Sequence, residues 1–206
     1  MMRDMAAVIL SDVPAGCTVI DIGGLGPGDR PHLLAVRKAF DSRNATRLVV
    51  DCQDGADLVC NLDTKAGLEA LREYVQPGHC VWISHTLDHL EDPIGVLRAC
   101  ASASRLIVVQ GNPYSPVFRY MEEMQRRRGK RYSDDDTGHL YNWSRKSMTT
   151  LLARAGWVAM RSCWVGCSHH SWSGLIVNEL CSFAPSQFAV AYAVVCGAEA
   201  NKEVLP

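Results

Sequence analysis

The chain of 206 residues has the length of one ordinary domain, and its 48% hydrophobic and 21% charged residues are typical of a globular protein. A formal net charge of −1 excludes a general attraction to nucleic acid or to a membrane surface. The nine cysteines are scattered rather than spaced as in a disulfide scaffold, and no secretory apolar segment is evident. We therefore expect reduced thiols in a cytoplasmic protein.

Helix and strand patterns alternate along the chain. The predicted elements are, in order, a helix over 1–13, a strand over 18–21, a helix over 33–42, strands at 48–51 and 58–60, a helix over 68–75, a strand at 80–84, a helix over 94–100, a strand at 106–109, a helical insertion at 114–143, a helix from the N-cap Ser144 to Gly156, and strands at 157–166 and 188–196. This alternation predicts an α/β fold that is Rossmann-like and doubly wound. Its sheet would be mainly parallel and seven-stranded, with helices on both faces.

Polar residues follow most of the predicted strands, at Asp21, Asp51, Asn61, Ser84 and Asn112. Ligands of parallel α/β sheets bind outside the carboxyl ends of the strands. The sequence therefore predicts one ligand site at this edge of the sheet.

The first predicted strand runs into a glycine-rich loop, Val-Ile-Asp-Ile-Gly-Gly-Leu-Gly-Pro-Gly at 19–28. Glycines allow positive φ in a tight turn and lack the Cβ atoms that would keep a ligand from the backbone. The helix after the loop turns its free N–H groups toward that ligand. Asp21 would repel the pyrophosphate of a dinucleotide, whereas it suits a ligand with a cationic amino-acid end, such as S-adenosylmethionine.

Three segments resemble class I S-adenosylmethionine-dependent methyltransferases, over roughly residues 17–165. The loop at 19–28 is similar to the family's hydrophobic–Asp–x–Gly–x–Gly–x–Gly pattern. Residues 84–93, Ser-His-Thr-Leu-Asp-His-Leu-Glu-Asp-Pro, resemble the S-x-V-L-E-H-L-x-D-P segment of many small-molecule methyltransferases. Residues 138–144, Gly-His-Leu-Tyr-Asn-Trp-Ser, followed by Ala-Gly-Trp at 155–157, are similar to the segment around the family's fifth main helix.

The resemblance implies S-adenosyl-L-methionine as the cofactor and methyl transfer to an oxygen, nitrogen or carbon of a small molecule. It implies that Asp21 helps to hold the amino end of the cofactor, that Asp51 accepts hydrogen bonds from both ribose hydroxyls, and that Asn61 lies at the adenine edge. The other residues expected at the cofactor are Gly23, Gly24, Gly26, Gly28, Cys52, Leu62, Ser84 and His85.

The sequence departs from the family pattern at three places. The glycine loop holds one extra residue, which leaves open which glycine plays which role. Asn61 stands where the family usually has Asp, and Asp63 is the competing candidate for the adenine edge. Cys52 follows Asp51 where many members carry an apolar residue.

Methyl transfer is an in-line displacement at an activated sulfonium methyl, so a protein base is needed only where the acceptor must lose a proton. His85 follows a strand end and is the first candidate for contact with the reacting groups. His139 and Tyr141 are further candidates, with a capping or core role as the alternative. Both flank the return from the insertion at 114–143, which we expect to cover the acceptor pocket within a single domain of residues 1–206.

Other readings of the sequence stay open. Cys163, Cys167, His169 and His170 are candidate zinc ligands, although their spacing is not the usual one. An NAD(P)-dependent oxidoreductase and a non-catalytic methyltransferase-like module are the alternative functions. Since no basic face is evident, we expect a small-molecule substrate and neither nucleic acid nor a membrane as partner.

Overall fold

The computed structural model describes residues 2–3, 5–25, 31–112, 115, 116, 120, 123, 127, 140–165, 189 and 191–198, with the backbone alone at 2, 3, 31–33 and 198. The strands in this part of the chain are β1 (Met2–Arg3), β2 (Thr18–Ile22), β3 (Thr46–Asp51), β4 (Leu58–Val59), β5 (Cys80–Ser84), β6 (Arg105–Gly111), β7 (Trp157–Val165) and β8 (Ala191–Ala198). The helices are α1 (Met5–Asp12), α2 (Pro31–Ser42), α3 (Lys65–Tyr74), α4 (Pro93–Ala99) and α5 (Arg145–Arg154), and a 3₁₀ turn spans Leu87–His89.

All described strands belong to one sheet, in the order β1-β7-β8-β6-β5-β2-β3-β4. The five strands β6, β5, β2, β3 and β4 lie side by side in this order and are parallel to one another. Strand β8 is antiparallel to both of its neighbours, β6 and β7. The predicted fold class is therefore confirmed. Seven strands form the predicted sheet, and the two-residue β1 extends its edge.

Helices cover both faces of the sheet, and the central strands are therefore buried on both sides. In β5 the side chains of Val81 and Ile83 point into one core cluster, and those of Cys80 and Trp82 point into another. The first cluster includes residues of α3, α4 and α5, and the second includes residues of α1 and α2. This double burial explains why the strands read as continuous apolar runs.

Three of the helices begin at a side chain that accepts a hydrogen bond from a backbone N–H of the first turn. The caps are Thr64 for α3, Asp92 for α4 and Ser144 for α5, as predicted for Ser144. Gly156 follows α5 with a φ of +91°, a conformation that costs glycine least.

The first thirteen residues differ from the prediction of one helix. Met2 and Arg3 pair in parallel with Trp164 and Val165 of β7, and α1 begins only at Met5. The pairing covers backbone groups of an edge strand that would otherwise be open. In so short a segment, the hydrophobic pattern does not distinguish one continuous helix from a short strand followed by a helix.

The described cysteines are free thiols and most are at least half-buried. Burial raises the pKa of Cys80, Cys100 and Cys196 to about 12, so these groups are not thiolates at neutral pH. Cys52 is exposed.

Brief treatment of the native protein with iodoacetamide at pH 7.5 is expected to modify Cys52 well before the three buried thiols. The buried thiols should react only after unfolding, because they are neither accessible nor ionised. Peptide mass spectrometry after timed reaction measures this order, with Cys52→Ser as the control. Equal native rates for Cys52 and Cys100 would contradict the described packing.

Candidate functional site

The carboxyl ends of β2, β3, β4, β5 and β6 lie at the same edge of the sheet because these strands are parallel. These strand ends and the segments that leave them hold the first residues of the glycine loop, Asp51, Asn61 and His85. The predicted grouping of polar residues at this edge is what the topology produces.

The glycine loop lies directly against the segment that follows β5. Gly23 has a φ of +74°, and its N–H donates to the carbonyl oxygen of Val50 over 2.8 Å. A Cβ at Gly23 would overlap the side chain of Thr86, whose hydroxyl lies 3.1 Å from the carbonyl oxygens of Ile22 and Ser84. Glycine is therefore required here both for its conformation and for this close approach.

Asp21 is buried and forms an ion pair with Arg47 from the neighbouring strand. The Arg47 Nε–H donates to Asp21 Oδ2 over 2.6 Å, and its Nη2 donates to the carbonyl oxygen of Gly24 over 2.8 Å. Burial raises the pKa of Asp21, and the Arg47 guanidinium opposes that rise. The cation beside Asp21 is therefore Arg47 of the chain itself, whereas the sequence suggested the cationic end of a ligand. A role for Asp21 at the cofactor stays a prediction.

Asp51 joins the glycine loop to the end of β3. One carboxylate oxygen accepts from the N–H of Leu25 over 3.3 Å, and the other accepts from the N–H of Gln53 over 3.2 Å. The side chain is half-buried, and each oxygen keeps a further lone pair. Asp51 can therefore accept additional hydrogen bonds from a ligand that lies against the loop.

The segment after β4 holds the two candidates for the adenine edge. Asn61 is exposed, and its side-chain oxygen accepts from the N–H of Asp63 over 2.9 Å. Asp63 accepts from the N–H of Glu91 over 2.8 Å, which ties this segment to the start of α4. The side chain of Leu62 is buried in the core, so only the backbone of this residue can face a ligand. Cys52, which directly follows Asp51 in the sequence, is exposed.

His85 follows β5 with a φ of +52°, a conformation that is uncommon for a residue other than glycine. Its N–H donates to the carbonyl oxygen of Val109 in β6 over 2.9 Å, and its side chain is exposed. Strained backbone of this kind clusters at functional sites. Ser84 is half-buried, and its hydroxyl lies 3.9 Å from the sulfur of Met5 in α1.

The segment 140–143 returns to the sheet beside the residues that follow β5. The N–H of Leu140 donates to the carbonyl oxygen of Asp88 over 2.6 Å, and the hydroxyl of Tyr141 donates to that of Glu91 over 3.1 Å. The rings of Tyr141 and Trp143 lie 4.9 Å apart. Tyr141 thus binds backbone through its hydroxyl, and its predicted contact with substrate stays a prediction.

An open groove of about 590 Å³ lies where α4 and α5 begin. Its lining combines apolar side chains with acidic and basic ones, namely Glu91, Asp92, Pro93, Ile94, Tyr141, Trp143, Ser144, Lys146, Ser147, Thr150, Leu151 and Arg154. The groove starts at the same rim of the sheet as the strand ends described above.

The architecture is that of solved methyltransferase structures. The chain superimposes with a TM-score of 0.55 on a chain of the complex between the Haloferax volcanii Trm112 methyltransferase activator and a protein described as a methyltransferase, at 14% identity over 94% of this chain and 88% of that one. The S-adenosylmethionine-dependent methyltransferase of Mesorhizobium loti gives a TM-score of 0.54, at 14% identity over 93% and 95% of the two chains. The chain has the class I methyltransferase fold.

A third similar structure is phosphoethanolamine N-methyltransferase 2 of Haemonchus contortus in complex with S-adenosyl-L-methionine. Its TM-score is 0.51 at 11% identity, over 94% of this chain and 51% of that one. No protein-family model matches the chain, and neither does the sequence of a curated protein. The similarity at such low identity shows the methyltransferase fold alone.

Several predicted site residues lie outside the part of the chain that the structure describes. They are Gly26, Gly28, His139, most of the predicted lid at 114–143, and the candidate zinc ligands Cys167, His169 and His170. Among the described residues there is no group of three or more potential metal-ligating side chains, and none of the helices has the length and apolar character that crossing a bilayer requires.

Two residues beside this site were missed by the sequence analysis. Arg47 is a lone cation in an apolar strand, and Gln110 is a lone amide in another. Polar residues inside buried strands are uncommon, so their positions were the available signal. Their partners depend on the strand register, which no local pattern contains.

Proposed function

We propose that the chain transfers a methyl group from S-adenosyl-L-methionine to a hydroxyl, amine or carbon of a small molecule. The observation that carries the proposal is the position of Asp51. This carboxylate ends the strand beside the glycine loop and is already hydrogen-bonded to that loop through the Leu25 N–H, 3.3 Å away. In a methyltransferase fold this is a suitable position for binding a nucleoside.

The residues present fit such a cofactor. Gly23 and Gly24 lack the Cβ atoms that would fill the space beside Thr86 and Arg47, so the loop backbone stays close to the strand ends. Asp51 offers two oxygens for the two ribose hydroxyls, and the side-chain oxygen of Asn61 is the proposed partner of the adenine amine. The cofactor supplies an electrophilic sulfonium methyl, and the protein supplies alignment and exclusion of water.

His85 is the proposed base where the acceptor must lose a proton. Its imidazole is carried at the end of β5, next to the carboxyl end of β6. A neutral imidazole ring can accept a proton from the acceptor and pass it to water. We further propose that residues 114–143 cover the acceptor and that the protein acts in the cytoplasm on small molecules rather than on nucleic acid.

Isothermal titration calorimetry of the full chain with S-adenosylhomocysteine and, separately, with NAD⁺ and NADP⁺ tests the function. We expect binding of S-adenosylhomocysteine in the micromolar range and none of the dinucleotides. Binding of a dinucleotide alone would favour the oxidoreductase. An intact fold by circular dichroism without any nucleoside binding would favour a non-catalytic module.

A further inference from the structure

Gln110 carries a buried side-chain amide and is the penultimate residue of β6. Only 4% of the residue is exposed, and its side-chain oxygen Oε1 has no hydrogen-bond partner among the described residues. An unpaired buried polar atom costs folding free energy, so most such atoms in proteins are paired. The opposite orientation of the amide would place an NH₂ group in the same position, so a buried polar atom stays unpaired in either orientation.

The position of Gln110 is next to the proposed methyl-transfer site. The carbonyl oxygen of its neighbour Val109 accepts the hydrogen bond from the N–H of His85. Gln110 and His85 therefore lie side by side at the carboxyl ends of two adjacent parallel strands. Gln110 is also directly opposite Tyr192 in the antiparallel pair of β6 and β8. Directly opposed residues of such a pair share one face of the sheet.

Trp143 adds a second unpaired group to this neighbourhood. The hydroxyl of Tyr192 donates to the carbonyl oxygen of Trp143 over 2.9 Å, which links Trp143 to the residue opposite Gln110. The indole Nε1 of Trp143 is buried and has no hydrogen-bond partner in the described part of the chain. The two unpaired groups therefore belong to the residue opposite Tyr192 in the sheet and to the residue whose carbonyl oxygen accepts from the Tyr192 hydroxyl.

We propose that Gln110 and Trp143 bind the polar group of the methyl acceptor, and that this group is a neutral hydroxyl or amide on an aromatic body. A hydroxyl or amide both donates and accepts, so it satisfies Gln110 Oε1 and Trp143 Nε1 together. An ionised group would leave its charge uncompensated between two neutral partners. The ring of Trp143, which lines the open groove where α4 and α5 begin, supplies apolar surface for the rest of the molecule. The inference rests on the proposed methyltransferase function and specifies its substrate.

The first test is the stability of the ligand-free protein. Gln110→Met removes the unpaired amide at similar volume and is expected to raise Tm by about 3 °C. Tyr192→Phe is the contrasting control, which should lower Tm because it leaves the Trp143 carbonyl without its donor. Gln110→Leu repeats the test with a differently shaped side chain. If both Gln110 variants lower Tm, the amide is satisfied without a ligand and the proposal is wrong.

The second test measures ligand binding with four probes at saturating S-adenosylhomocysteine. Phenol and benzamide represent the neutral groups, and benzoate and benzylamine represent the anion and the cation. We expect the two neutral probes to bind at least about tenfold more tightly than the two charged ones. Gln110→Leu should weaken binding of the neutral probes about tenfold, a loss of about 1.4 kcal/mol in binding free energy. The affinity for S-adenosylhomocysteine should not change in this variant.

The outcomes separate the two proposals. Failure of the wild-type chain to bind S-adenosylhomocysteine counts against the methyltransferase function, while the stability test still reports on Gln110. Binding of S-adenosylhomocysteine together with equal affinity of the neutral probes for wild type and variant overturns only the acceptor site. Stronger binding of benzoate or benzylamine, or no binding of any probe, also overturns it.

Discussion

Arg47→Met is expected to destabilise the protein by about 3 kcal/mol, because it leaves the buried carboxylate of Asp21 without its cation. Asp21 is 5% exposed, and its ion pair with Arg47 is 2.6 Å long. Urea unfolding followed by circular dichroism measures the loss. Arg72→Met, at an exposed arginine in the last turn of α3, is the matched control and should change little.

The loss in Arg47→Met should depend on pH with a definite sign. Burial already raises the pKa of Asp21 in the presence of Arg47, and removal of the guanidinium raises it further. A carboxyl group whose pKa is higher in the folded state stabilises that state at low pH, and this contribution falls as the pH rises through the folded-state value. The variant should therefore be closer to wild type at pH 5 than at pH 8.

A double substitution separates the charge effect from packing. Asp21→Asn combined with Arg47→Met removes both charges and should recover much of the stability that Arg47→Met loses. Arg47→Met alone should also weaken S-adenosylhomocysteine binding, because the Gly24 carbonyl loses its 2.8 Å hydrogen bond and the loop is held less firmly. A single variant as stable as wild type at pH 8 would contradict the buried ion pair.

The fold could be predicted because its signals are local. Continuous apolar strands such as Cys80–Ser84 are buried on both faces, and each ends in a polar residue or a glycine turn. Ser144 and Gly156 marked the two ends of a helix by their own side-chain and backbone chemistry. The pairing of residues 2 and 3 with β7 could not be predicted, since it depends on a distant strand.

The site was less predictable, because its contacts cross between strands. Asp51 was placed correctly at a strand end, but its bond to Leu25 follows from the packing of β2 against β3. In that register Asp21 is opposite Val49, and only a side chain as long as arginine, two residues earlier, reaches back to it. The sequence showed a carboxylate in the glycine loop but not the guanidinium that neutralises it.

Asp51→Ala is expected to weaken S-adenosylhomocysteine binding about 100-fold, since two charge-assisted hydrogen bonds of about 1.5 kcal/mol each are lost. Asp51→Asn keeps one acceptor oxygen and should lose about tenfold. Asp54→Ala, at an exposed acid three residues further along the same loop, is the matched control and should bind like wild type. Calorimetry measures all three affinities.

The same variants identify which part of the ligand Asp51 contacts. 5′-Methylthioadenosine carries the ribose and adenine but no amino-acid end, so Asp51→Ala should weaken it by the same factor as S-adenosylhomocysteine. A loss seen only with S-adenosylhomocysteine would instead place the amino group near Asp51, and Asp21 could then not be its partner. Unchanged affinity for both ligands would refute the ribose role. Because Asp51 also accepts from Leu25, a fall in Tm without a fall in affinity would mean that it only holds the loop.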